Sequence, residues 1–300
     1  MTNHKHLRTV IEDIYTNNNE LTDDLLLKLI HEFRYSNLII PAKRENGTLN
    51  FIIYEDEGAK ITPLFTDMDE FRKFYRDEDI RSLKNPFEVY HNIIKTTEIE
   101  GFILNPSSEK YLFKKEFILS ITSFPKTSFF SNNPYSPDEL RTLKKSMDNS
   151  PLESFINAPG TVGDYEGLFE ALSNSTLLTM MVSRRDLSSL SKDGLIDMHE
   201  TGPLASMYLD TIGGEYATLF SSDAKIREVP SGDYRYSQIV NLATLVNFVL
   251  SEDMDGIVLN PQTDNVLIPR VKLLRYSTGF EKFANDGRLS DSIFYLFEVE

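Results

Sequence analysis

The chain has 300 residues, 40% hydrophobic and 26% charged, ordinary globular values in a chain long enough for two cores. A net charge of −15 argues against nucleic acid and anionic lipid as partners, since both need clustered Lys and Arg, and the longest basic runs are pairs such as Lys43-Arg44, Lys114-Lys115 and Arg184-Arg185. The absence of cysteine excludes disulfides, thiolate nucleophiles and Cys-ligated zinc.

The first element expected is an amphipathic helix near residues 7 to 16, with Leu7, Val10, Ile11 and Ile14 on one face. Thr22-Asp23-Asp24 caps a second helix carrying Leu25, Leu26, Leu29, Ile30 and Phe33. A strand over Asn37 to Pro41 follows, then a hairpin through Glu45-Asn46-Gly47 into Leu49 to Tyr54, and a strand from Lys60 to Phe65. Thr66 is the expected N-cap of the next helix, whose first turn carries acids and whose stripe is Phe71, Phe74 and Tyr75. A third helix spans about Pro86 to Thr96. Gly101, just past the helical region, opens a buried strand that runs through Leu104, and Asn105-Pro106 turns the chain. Tyr111 to Phe113 and the apolar segment Phe117 to Leu119 close this unit.

Residues 123 to 163 are richer in Pro, Ser and Asn and read as a structured linker. Two helix starts stand within it: the capping box Ser136-Pro137-Asp138-Glu139, and Ser150-Pro151-Leu152-Glu153. The second unit opens on a helix with Leu168, Phe169 and Leu172, followed by the strand Leu177 to Val182 and an insertion over Arg184 to Pro203. After Leu274 a Gly- and Asn-containing turn leads to an apolar strand, Ile293 to Phe297, that lacks a counterpart in the first unit.

The organising feature is an internal repeat. Gly101-Phe102-Ile103-Leu104-Asn105-Pro106 recurs as Gly256-Ile257-Val258-Leu259-Asn260-Pro261, and Leu64-Phe65-Thr66 recurs as Leu219-Phe220-Ser221, both at an offset of 155. From Gly58 to Phe113 the two stretches align without a gap, and the identical pairs include Arg72/Arg227, Ser82/Ser237 and Asn92/Asn247. The expected architecture is therefore α/β (α+β): two homologous domains, each a small mixed sheet packed with helices, over residues 1–122 and 164–300 with the linker 123–163 between them.

Motifs for catalysis are missing. The five histidines hold no ligand spacing, and His4-Lys5-His6 reads as a solvated end. Gly160-Thr161-Val162-Gly163 lacks the Lys and the preceding strand of a phosphate loop, and no Gly-x-Ser-x-Gly elbow occurs. Acidic pairs do not recur between the copies, so no catalytic residue, metal or cofactor is assigned. The repeated positions offer a binding hypothesis instead. If the strands ending at Phe65 and Leu104 are parallel neighbours, their carboxyl ends share an edge of the kind where open α/β sheets take ligands. Thr66, Arg72 and Asn105 would converge there, as would Ser221, Arg227 and Asn260. The competing reading is structural: Thr and Ser cap, Asn-Pro turns, and Arg72 occupies a helix surface.

The paired pattern Leu-Phe-Thr/Ser before a helix, then Gly-x-x-Leu-Asn-Pro, resembles the SseB family, bacterial proteins named for an enhanced serine-sensitivity phenotype. Residues 36–119 and 175–275 both look like the N-terminal domain of that family. The second copy departs from it at Thr218, where the first has Pro63, and in its insertion. The family has no established catalytic residues to carry over, so the resemblance implies a fold and a non-enzymatic role. The expectation is a cytoplasmic protein without a membrane-spanning segment, since the start is polar and every apolar run is strand-sized. Its function is expected to be that of a protein-binding or adaptor module, contacting another protein or a second copy. The alternative is a small-molecule sensor, for an amino acid type of ligand, at the strand-end edge. An unrecognised hydrolase would need a deep pocket holding a carboxylate pair.

Overall fold

A computed structural model describes residues 4–45, 47–56, 58–76, 79–121, 135–161, 163–206, 208–211, 214–277 and 295–299. The chain is α/β and divides into two compact units, Met1–Lys126 with Ser251–Asp253, and Thr127–Leu250 with Met254–Glu300.

In the first unit the 3.6-residue periodicity of the amino-terminal segment gives α1 (Lys5–Thr16), which buries Leu7, Val10, Ile11 and Ile14. α2 (Asp23–Tyr35) starts where the Thr22 hydroxyl accepts a hydrogen bond from the Leu25 amide at 3.3 Å, and it buries Leu29, Ile30 and Phe33. There follow β1 (Leu38–Glu45), β2 (Thr48–Phe51), β3 (Tyr54–Asp56), β4 (Ala59–Leu64), α3 (Met68–Phe74), β5 (Ile80–Asn85), α4 (Phe87–Thr96), β6 (Gly101–Leu104), β7 (Tyr111–Lys114) and α5 (Lys115–Ser120). The strands form two sheets rather than one: antiparallel β2-β1-β5, and mixed β3-β4-β6-β7. In the mixed sheet β4 and β6 are parallel, with Leu64 opposite Leu104. Main-chain hydrogen bonds between Ile39 and Phe65 tie the two sheets together. The core centres on Phe33, whose ring stacks on Phe113 at 4.0 Å and meets Phe87 edge-on at 5.7 Å.

The second unit contains α6 (Pro137–Lys145), α7 (Ser150–Asn157), α8 (Tyr165–Ser173), β8 (Leu177–Ser183), β9 (Leu195–Asp197), β10 (Ala205–Ser206), β11 (Tyr208–Thr211), β12 (Gly214–Leu219), α9 (Asp223–Arg227), β13 (Tyr234–Val240), α10 (Leu242–Ser251), β14 (Gly256–Leu259), β15 (Val266–Pro269), α11 (Arg270–Ser277) and β16 (Tyr295–Glu298). Its sheets are β10-β8-β13-β16-β9 and β11-β12-β14-β15, the latter with β12 and β14 parallel. Adding 155 to the limits of β4, α4, β6 and β7 gives those of β12, α10, β14 and β15. Upstream of the insertion the offset becomes 139, which pairs Leu29, Ile30 and Phe33 of α2 with the buried Leu168, Phe169 and Leu172 of α8.

Several sequence expectations are corrected. β5 and β13 were missed, because Ile-Arg-Ser-Leu-Lys-Asn carries charge on an edge and shows no clean alternation. The apolar segment Phe117 to Leu119, left without an assignment, lies in the helix α5. Helices α6 and α7, expected in a linker, pack as part of the second unit: Leu140 is fully buried in a core with Leu178, Phe220, Ile226 and Phe297. His4 is no solvated end, since it is buried and its Nε2 donates to the Asn37 carbonyl at 3.0 Å. Its counterpart is Asn149, whose amide donates to the Thr176 carbonyl at 2.6 Å. That pairing identifies α7 as the equivalent of α1. Gly101 does open its strand, and the reason is packing: it sits at the start of β6 against β7, where a Cβ would lie 2.8 Å from the Phe113 carbonyl oxygen. The contact is tighter at Gly256, where the corresponding distance to the Ile268 oxygen is 2.2 Å. The expected turn after Leu274 and residues 293–294 of the last strand lie outside the described residues, and α11 continues to Ser277.

Candidate functional site

The parallel pairing of β4 with β6 and of β12 with β14 brings the carboxyl ends of the repeated motifs side by side, as the sequence suggested. Asn105 and Asn260 leave their strands in the left-handed region, at φ 41° and 49°, which Asn tolerates better than other side chains bearing a Cβ. The Asn105 carboxamide oxygen then accepts from the Thr66 amide at 3.1 Å, and its nitrogen donates to the Thr66 hydroxyl at 3.0 Å and to Glu109 at 2.9 Å. The second unit repeats the arrangement. Asn260 accepts from the Ser221 amide at 2.9 Å and donates to the Ser221 hydroxyl at 3.0 Å and to Asp264 at 2.7 Å. Thr66, Asn105, Ser221 and Asn260 are all buried.

Thr66 is therefore not the N-cap of α3. Asp67 is, accepting from the Asp69 and Glu70 amides at 2.9 Å each, while the Thr66 amide is held by Asn105. Ser222 caps α9 in the same way. The two arginines do not join either cluster. Arg72 is exposed on α3, and Arg227 is exposed at the end of α9, where its carbonyl accepts from Arg235 at 3.1 Å.

What surrounds the motif ends differs in charge. In the first unit Arg8 of α1 reaches Glu109 at 2.6 Å, Asp67 at 3.6 Å and Glu70 at 3.7 Å. Lys73 pairs with Glu70 at 2.5 Å. The Ser108 hydroxyl lies within hydrogen-bond distance of both carboxylates, 2.7 Å from Glu70 and 2.5 Å from Glu109. Burial works to raise the Glu109 carboxyl, but hydrogen bonds from Ser108 and Asn105, its own backbone amide and the charge of Arg8 outweigh it and hold the group below its ordinary range. In the second unit the counterpart of Arg8 is Glu153, which accepts from the Ser221 hydroxyl at 2.9 Å, and the counterpart of Glu70 is Lys225, which pairs with Asp264 at 3.0 Å. Acid and base have exchanged places. The carboxylate pair around Ser108 thus has no equivalent, and its charges are met by Arg8 and Lys73 rather than directed into a cleft.

Two clefts lie nearby. One, of about 450 Å³, has a floor of Met68, Phe71, Tyr75 and Ile80 and a rim of Arg72, Arg76 and Arg81. The other, of about 420 Å³, lies between α7–α8 and β15 and is lined by Phe155, Tyr165, Leu168, Asp264 and Asn265 among others. The basic rim was invisible in sequence because its arginines sit four, five and nine residues apart on a helix, the segment after it and a strand. Among the described residues no group of three or more His, Asp or Glu is placed to hold a metal ion, and no helix is long and apolar enough to cross a membrane. No protein-family model matches the chain, and neither a curated protein nor a solved structure does.

Proposed function

We propose that this chain is a non-enzymatic, cytoplasmic protein-binding module of the SseB-like type, built on a duplicated domain, and that its binding surface is the arginine-rimmed cleft of the first unit. The observation that carries the reading is the composition of that cleft. Exposed guanidinium groups surround an apolar, aromatic floor, the mixture enriched where proteins meet. The motif ends support the same reading from the other side, since their Asn, Thr and Ser groups are buried and bonded to one another. Such groups brace a turn and have little left to offer a substrate.

The test is site-specific photo-crosslinking in cells, with a photoreactive phenylalanine analogue at Arg72 and, as the control, at Arg227. A protein adduct formed from position 72 and not from position 227 is the expected result. If neither position yields an adduct and the chain runs as a monomer, the module reading is overturned.

A second reading is a small-molecule sensor, favoured by the cleft beside the Asn260 turn. In the first unit Tyr15, in the last turn of α1, packs edge-on against Tyr111 at 6.1 Å and donates to the Glu109 carbonyl at 2.7 Å. Helix α7 ends at Asn157, a turn too early to supply that side chain, so the corresponding place in the second unit is open. A thermal-shift screen with amino acids tests it. Stabilisation abolished by Tyr165→Ala would support the sensor, and no shift with any amino acid would retire it.

A further inference from the structure

The place held by the arginine-rimmed cleft in the first unit is filled in the second. Strand β13, the counterpart of β5, pairs with β8 on one side and with β16 on the other, with Tyr236 opposite Glu298 and Ser237 opposite Phe297. Helix α6 lies over the same spot. Its Lys144 donates to Asp223 at 2.7 Å and to the Ser237 hydroxyl at 2.9 Å, and Leu140 packs with Phe297 and Ile226. The positions equivalent to Asp223, Ile226, Tyr236 and Ser237 are Met68, Phe71, Arg81 and Ser82, all lining the cleft. Yet β5 ends its sheet, and among the described residues no strand pairs with its outer edge.

The main chain of β5 faces that edge in the right sense. In an antiparallel pair, residues alternate between directing their backbone groups at the partner and away from it. Ile39 gives its amide and carbonyl to Phe65, and the Pro41 carbonyl accepts from Ile52, so neither is turned towards β5. Pro41 lies opposite Ser82, whose amide and carbonyl therefore point outward, as those of Ser237 do towards Phe297. The cleft is lined by side chains from both faces of β5, Ser82 and Ile80 on one and Arg81 and Leu83 on the other, so it runs along the strand edge itself.

We propose that the outer edge of β5 takes an extended strand from a partner protein, in which apolar residues alternate with acidic ones. This rests on the protein-binding reading and specifies its mode. β16, the filled equivalent, reads Tyr295-Leu296-Phe297-Glu298. Copied onto β5, its register sets an acid opposite Arg81 and an aromatic side chain opposite Ser82, leaning on Phe71. Cross-strand pairs of opposite charge favour that register, and main-chain hydrogen bonds to the edge supply affinity independent of side chains. The chain carries a net charge of −15, so selectivity for acids is set by the three guanidinium groups of Arg72, Arg76 and Arg81 in the cleft and not by net charge.

The test is fluorescence anisotropy on the full chain, with a labelled peptide carrying the sequence of residues 293–300 as the probe. Saturable binding is expected. Ser82→Pro removes the outward amide at an edge position that tolerates proline, and should weaken binding about 10-fold or more, while Ser82→Ala leaves it unchanged. Arg81→Glu should weaken it about 5-fold and be rescued by a peptide with Glu298→Lys. Because the charge-swap rescue stands alone, misfolding of Ser82→Pro would leave the test intact. Absence of saturable binding, or equal affinity in wild type, Ser82→Pro and Arg81→Glu, overturns the proposal. A self-dimer that the peptide dissociates also overturns it, by making a second copy the occupant. A partner crosslinked at position 72 without peptide binding would leave the module reading standing and remove only the strand mode.

Discussion

The two halves of this chain place the same backbone around the same asparagine and then finish it differently. Both keep an acid in the turn, Glu109 or Asp264; the first unit adds a cation from α1 and an acid from α3, and the second an acid from α7 and a cation from α9. The first fills the space under its amino-terminal helix with Tyr15 and, among the described residues, leaves the β5 edge open. The second leaves the space under α7 open and covers the β13 edge with β16 and α6. What both units keep is what the turn geometry needs; what differs is where new contacts could be made without disturbing it.

The shared turn is where the largest effects are expected. Asn105→Ala and Asn260→Ala should each cost about 3 kcal/mol, since each loses a residue suited to a positive φ and strands buried amide and hydroxyl groups. Asn→Gly at either position recovers the backbone part only, and should cost about 2 kcal/mol. Urea midpoints of the four variants check this, and equal losses for Ala and Gly would remove the positive φ from the explanation. At the motif glycines the halves should part: Gly256→Ala, meeting the Ile268 carbonyl, costs about 3 kcal/mol, and Gly101→Ala about 1–2 kcal/mol.

The charge exchange predicts smaller differences. Arg8→Ala leaves three carboxylates without their shared cation and should cost about 2 kcal/mol, whereas Lys225→Ala breaks one partly exposed pair and should cost about 1 kcal/mol. The smallest effect is pH-dependent. Glu109 titrates below its ordinary range in the folded chain, so its contribution is present in full above the unfolded pKa and is lost as pH falls through the folded one. Glu109→Gln should therefore lower stability at neutral pH and flatten the acid limb of a plot of melting temperature against pH. An acid limb of unchanged slope would contradict that assignment.

The repeat was legible because its constraints are local: a glycine without room for a Cβ, three apolar residues in a buried strand, an Asn at positive φ. The pairing of Thr66 with Asn105 and of Ser221 with Asn260 followed from the parallel strands, and so could be anticipated. Arg72 and Arg227 were expected to converge with the strand ends, but both are exposed on their helices, which for Arg72 is the competing surface reading. A position late in a short helix has already turned away from the strand it follows. β5 was hidden for another reason. An edge strand with one face against α3 and a charged rim has no strict alternation, and its existence is fixed by pairing with β1 rather than by its own pattern. The helices at 137–157 looked like a linker because Pro, Ser and Asn dominate their flanks, yet Leu140 and Asn149 hold them in the second unit.

The account turns on whether the equivalent edges of β5 and β13 are open and closed. Native-state amide hydrogen exchange on Ser82 and Ser237 measures that directly. The Ser237 amide, paired to Phe297, should exchange on the order of 100-fold more slowly than that of Ser82, and the Ser82 amide should gain protection when the 293–300 peptide is added. Equal protection of the two serines in the free chain would contradict the account.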